Sequence, residues 1–122
     1  MEIVVKVDWI EKNFVASIAS KDLGAVIVTD KTEQGVKNKL AEAFDFHTEG
    51  KFAGVKFVYE YSVSAKLQIA LQYTTLAVLS RITGIKHAQL SHYANSVSIP
   101  RKPQYDKIMY GIHTIGKNIS AI

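Results

Sequence analysis

The chain has 122 residues, 48% hydrophobic and 21% charged, which suits one ordinary domain or two very small ones and excludes disordered and collagen-like classes. It has no cysteine, so disulfide staples, thiolate zinc sites and cysteine nucleophiles are excluded together. The net charge of +4 is unevenly shared: residues 1–63 carry eight lysines against ten carboxylates (−2), whereas residues 64–122 carry seven basic residues against Asp106 alone (+6).

The first half reads as β-rich. Ile3–Val7 is a short strand, and Asn13–Ser20 alternates Phe14, Ala16 and Ile18 with Val15, Ser17 and Ala19. The segment Asp8–Lys12 between them reads as a hairpin connection. Lys21-Asp22-Leu23-Gly24 reads as a second turn and Ala25–Thr29 as a third strand, so an antiparallel meander is expected. Asp30 then stands as a helix cap with Glu33 three residues on, the spacing of a capping box. Val36, Leu40, Ala43, Phe44 and His47 fall on one helical face, with Lys37, Asn38, Lys39 and Glu42 towards water. Gly35 weakens this helix slightly, and Glu49-Gly50 ends it. Lys56–Val63 alternates Phe57, Tyr59, Tyr61 and Val63 on one face as a fourth strand. The order β-β-β-α-β implies one small sheet with a helix over one face.

From Ser64 the period becomes helical. Helices are expected over Ser64–Gln72, Thr75–Thr83 and Lys86–Asn95, and a last one from Pro103, which suits a first helical position. In that helix Tyr105, Ile108, Met109, Ile112, Ile115 and Ile119 share an apolar face, with Gly116 as a kink or stop. The pair around Thr83-Gly84-Ile85 has the pattern of a helix-turn-helix: an apolar helix, a glycine turn and a polar second helix. With Ile85, Leu90 and Tyr93 inward, the opposite face carries His87, Ala88, Ser91, His92 and Asn95. His92 and Gln89 offer donors and acceptors to base edges, Ser91 either, and Ala88 a methyl surface for thymine. Lys86, Arg81, Arg101 and Lys102 suit phosphates. A half-chain so poor in carboxylates fits a polyanionic partner, since phosphate contacts release counterions.

The segment RITGIKHAQLSHYANSVSIPRKPQYDKI resembles the DNA-binding region of HicB-type antitoxins that carry a lambda-repressor-like helix-turn-helix, through Leu79, Gly84, Ile85, Leu90, Ser91, His92, Tyr93, Pro100 and Lys107-Ile108. The stretch TDKTEQGVKNKLAEAFDFHTEG resembles the helix of the partial RNase H-like domain of that family, with Asp30, Thr32, Glu33, Ala43 and Phe46-His47 in place. The resemblance implies an α+β protein: a β-β-β-α-β partial RNase H-like domain over residues 1–63 that masks a toxin, then an all-α helix-turn-helix domain over residues 64–122. The implied partners are a small HicA-like, mRNA-cleaving toxin and operator double-stranded DNA, bound by a homodimer or higher homo-oligomer that represses its own operon. The pattern is departed from at Lys86, which replaces a small capping residue, and at Ser96, where glycine usually follows Asn95.

Nuclease chemistry on an RNase H-like sheet needs carboxylates converging on Mg²⁺. The strands offer only Glu2 and Glu60, while Asp8, Glu11, Asp22 and Asp30 are assigned to turns or a cap. His47, His87, His92 and His113 have no metal-ligand spacing with a carboxylate pair, and no Ser/His/Asp set is evident. No enzyme, cofactor or metal is expected. The N-terminus lacks a basic region followed by an apolar core, and no apolar run approaches about 18 residues, so a cytoplasmic protein with no membrane partner is expected. Two alternatives stay open: a stand-alone transcriptional regulator whose first half dimerises or senses a ligand, and a protein–protein adaptor that never meets DNA.

Overall fold

In the computed structural model, residues 2–20, 24–52 and 54–122 are described. Strands β1 (Glu2–Ile10) and β2 (Asn13–Ser20) pair antiparallel, and β2 pairs antiparallel with β3 (Gly24–Asp30). The first connection is much tighter than the expected five-residue one: Ile10 lies opposite Asn13, so the turn is Glu11-Lys12 alone, at φ +50° and +66°. Two left-handed central residues define the type I′ hairpin, whose twist matches that of the strands. Asp8 is therefore a strand residue, not a turn residue. The expected turn at Lys21–Leu23, with Asp22, lies outside the described residues.

Helix α1 (Glu33–His47) follows, and β4 (Lys56–Tyr61) then pairs parallel with β1, giving the sheet order β3-β2-β1-β4. Thr32, rather than Asp30, caps α1, its Oγ1 accepting from the Gly35 N–H at 3.0 Å. Asp30 braces this cap, accepting from the Thr32 N–H and hydroxyl and pairing with Lys39 at 3.0 Å. A Cβ at Gly35 would fall on the Asp30 carboxylate, so the glycine that weakens the helix on propensity is what admits the brace.

Val36, Leu40 and Phe44 of α1 are buried against Val5, Val7, Phe14, Ala16 and Ile18. His47 is exposed at the helix end, off the face expected for it. Lys37 is not solvated as expected: its ammonium lies 4.7 Å from the Tyr59 ring centre and 5.7 Å from that of Tyr61. A hydrogen bond to Tyr61 is the main reason its pKa is raised, while burial raises that of Tyr61.

Strand β4 stops at Tyr61, two residues short of its expected end, because Ser62 opens a helix. Its Oγ accepts from the Ala65 N–H at 3.1 Å and donates to Asp8 at 2.6 Å. Helices α2 (Val63–Ala70), α3 (Leu76–Thr83), α4 (His87–Ala94) and α5 (Lys102–Ser120) complete the chain. Helix α5 starts one residue before Pro103, and it runs through Gly116, where a kink or stop was expected.

The architecture is thus mixed: a four-stranded sheet and five helices among the described residues. A second core gathers Leu67, Leu79, Ile85, Leu90, Tyr93, Ala94 and Ile108. The helical half is not self-contained, because Ala65 of α2 is fully buried in the sheet's core, with Ile69 packed beside it. Both β1 and β4 end at this junction, and Ser96 donates across it to the Trp9 carbonyl.

Candidate nucleic-acid interface

The site rests on the turn between α3 and α4. Thr75 caps α3 by accepting from the Val78 N–H, and Gly84 ends it at φ +75°, a conformation that strains any residue with a Cβ. Two α3 side chains lock the turn onto the helix. Ser80 Oγ donates to the Ile85 carbonyl at 2.6 Å; Thr83 Oγ1 donates to the Leu79 carbonyl at 2.7 Å and accepts from the Ile85 N–H at 3.2 Å. With Ile85 buried as an anchor, the direction in which α4 leaves the turn is determined.

Helix α4 buries Leu90, Tyr93 and Ala94. At its far end Ser64 donates to the Tyr93 carbonyl at 2.7 Å and Gln68 to the Ala94 carbonyl at 2.8 Å. These two α2 residues occupy carbonyls that a helix end leaves unpaired, and they fasten α4 from behind. Neither is singled out by the sequence pattern, since they lie 29 and 26 residues from their partners.

Of the residues expected to contact DNA, Lys86, His87, Ala88, His92 and Asn95 are exposed on or beside α4. Gln89 and Ser91 are half-buried. Asn95 Nδ2 donates to the Ser91 carbonyl at 2.9 Å and, more weakly, to its hydroxyl at 3.4 Å, so these two form a local pair. Lys86 occupies the N-cap position at φ −59° and ψ 141° and makes no side-chain cap bond, since an ammonium has no acceptor to offer the first N–H groups of α4. Such an end attracts anions through its orphan donors and the helix dipole.

Arg101 and Lys102 are exposed at the start of α5, where Arg101 is the N-cap residue without a side-chain cap bond. Lys102 is partly neutralised, pairing with Asp106, the half-chain's single acid, at 3.3 Å. Arg81 is exposed in the last turn of α3. Val97 and Ile99, in the connection from α4 to α5, are 67% and 89% exposed, at positions to which the sequence pattern assigns no role. An arrangement of this kind can put imidazole, amide and methyl groups against base edges while flanking cations meet phosphate.

Among the described residues the carboxylates do not converge. Asp8 is engaged by Ser62 and by the Trp9 N–H, and Asp30 by Thr32 and Lys39. Among the described residues no three His, Cys, Asp or Glu side chains form a group able to hold a metal ion. Among the same residues no helix is long and apolar enough to cross a membrane. No protein-family model matches the chain, and neither a curated protein nor a solved structure matches it.

Proposed function

We propose that this protein is an antitoxin of the HicB type, whose helical half binds operator DNA and whose sheet half binds and neutralises a small HicA-like, mRNA-cleaving toxin. The observation that carries the reading is α4 itself. It is an eight-residue helix held by Ser80, Thr83, Ser64 and Gln68, with His87, Ala88 and His92 turned to solvent. In this reading α3 and α4 form a helix-turn-helix with α4 as recognition helix, and residues 64–122 are its domain. Lys86, Arg81, Arg101 and Lys102 bind phosphates, while His87, Ala88, Gln89, Ser91, His92 and Asn95 approach the bases, Ser91 and Asn95 as a pair.

The order β3-β2-β1-β4, with α1 on one face and β4 parallel to β1, fits a partial RNase H-like domain over residues 1–63. Its other face exposes Val4 and Ile27, surface on which a protein partner gains apolar burial. The protein acts in the cytoplasm, on protein and DNA, and is not itself an enzyme.

The test joins both halves. The tagged chain is recovered from its host at native expression, and any small basic protein that accompanies it is expressed alone and together with this chain. Growth arrest by the partner alone, relieved by co-expression, supports the antitoxin reading. Recovery without a partner, alongside protection of a promoter fragment, would leave a simple repressor in its place.

A further inference from the structure

Helix α5 packs chiefly on α3, and an apolar recess of about 510 Å³ lies open between α5 and α2. Ile69 and Tyr73 line one side, while Met109, Ile112, Ile115 and Ile119 form a stripe along one face of α5. At ~1.5 Å per residue the stripe is about 15 Å long, the reach of an extended dodecyl chain. Gly116 lies in the same wall, and a Cβ there would meet nothing within 4 Å. No contact within the chain excludes a side chain at this point. A glycine costs the helix stability here and leaves the recess open.

Lys66, in the first turn of α2, is the one cation of the lining and is half-buried. Its ammonium donates to the Tyr105 hydroxyl at 2.9 Å and lies 5.3 Å from the centre of that ring. Tyr105 stands one turn before Met109, which puts the ammonium at the head of the apolar stripe. An ammonium has three N–H donors, so Tyr105 leaves two of them over. Among the described residues no carboxylate pairs with Lys66, since Asp106 pairs with Lys102 and Glu33 with Lys37. A half-buried cation beside apolar walls is stabilised by an anion brought to it.

We propose that this recess binds a single-chain amphiphile with an anionic head, of the class of medium-chain carboxylates. The carboxylate accepts from Lys66, and the alkyl chain lies along α5 towards Ile119. A wholly polar ligand would gain nothing from the apolar walls, and a neutral one would leave the ammonium without a counter-charge. The site goes beyond the proposed function and needs neither DNA nor a toxin, so the two fail separately.

The experiment is isothermal titration calorimetry of the full chain with dodecanoate, decanoate and dodecyltrimethylammonium, each below its aggregation concentration. Native mass spectrometry counts the ligands per chain. Wild type is expected to take up one dodecanoate. Decanoate, shorter by two methylenes, should bind about 15-fold more weakly. Dodecyltrimethylammonium, whose head meets Lys66 with like charge, should bind more weakly than dodecanoate by about tenfold or more. Lys66→Met keeps an unbranched stem and should weaken dodecanoate by about tenfold or more, removing the preference for the anion. Gly116→Leu, a change to a better helix former, should fill the recess and abolish binding with the circular dichroism spectrum unchanged. Absence of saturable binding by wild type overturns the proposal, and so does equal affinity for the two head groups or undiminished binding to Gly116→Leu. A chain whose recess is closed by self-association, so that dodecanoate binds no copy, overturns it in the same way.

Discussion

Lys86→Ser separates stability from DNA affinity in opposite directions. Lys86 sits at the N-cap of α4 with φ −59° and ψ 141°, which is already cap geometry, yet it makes no cap bond. Serine there would accept from a first-turn N–H, and Gln89, three residues on, would complete a capping box. The gain is about 1 kcal/mol. For 122 residues the unfolding entropy converts this into a rise in Tm of about 4 °C.

The same change removes a cation from the end of α4 that would face phosphate. Removing one phosphate contact lowers the slope of log K against log salt by about 0.9, hence by ~1.8 for a dimer. If the two proteins bind alike at about 1 M salt, that difference is roughly 30-fold weaker binding at about 0.15 M. Thermal unfolding by circular dichroism and a salt series of fluorescence anisotropy on one duplex measure both quantities. A raised Tm with an unchanged salt slope would refute the phosphate role of Lys86. A lowered Tm would refute the described start of α4.

Glu11→Asn with Lys12→Gly should raise stability by about 1–2 kcal/mol, read as a higher urea midpoint at constant m, because both positions have positive φ and neither residue favours it. Gly111→Ala should destabilise by about 1–2 kcal/mol despite the gain in helix propensity, since its Cβ would lie 2.6 Å from Thr83 Cγ2. Adding Thr83→Ser, which deletes that methyl and keeps the hydroxyl bonds, should restore stability; failure to do so would place the crowding elsewhere. Asp30 has a pKa lowered chiefly by its hydrogen bond to Lys39, then by those from Thr32. A group depressed in the folded state stabilises above its unfolded pKa of about 3.9, and that contribution is lost as pH falls through the folded value. Asp30→Asn should therefore flatten the acid limb of a stability profile below about pH 4 while costing stability at neutral pH.

Much of the candidate interface was legible because α4 declares itself: Ile85, Leu90 and Tyr93 at helical spacing leave His87, Ala88 and His92 outside, and Gly84 sits where a left-handed residue is needed. Ser96, just beyond the end of α4, adopts φ +61°. The misplaced boundaries have local causes. Glu11-Lys12 lacks the Asn or Gly that marks a two-residue hairpin, so the five residues from Asp8 to Lys12 read as a loop. Val63 prolongs the alternation of Phe57, Tyr59 and Tyr61, which hides the cap at Ser62. At the start of α1, Asp30 and Thr32 are both good caps, and only the reach of Lys39 to Asp30 distinguishes brace from cap. The fastening of α4 could not be read at all. Ser64 and Gln68 look like ordinary polar positions of α2 until the fold carries the end of α4 over them, and the burial of Ala65 in the sheet's core is equally a matter of tertiary placement.

The central claim, that α4 reads duplex DNA, is tested most directly by selecting bound duplexes from a random-sequence pool with wild type, His92→Ala and Lys102→Ala in parallel. Wild type should enrich one sequence, His92→Ala should show a relaxed preference, and Lys102→Ala should keep the same preference at lower affinity, because the contact proposed for it is to phosphate. Enrichment of no sequence by wild type, with affinity indifferent to salt, would contradict the claim.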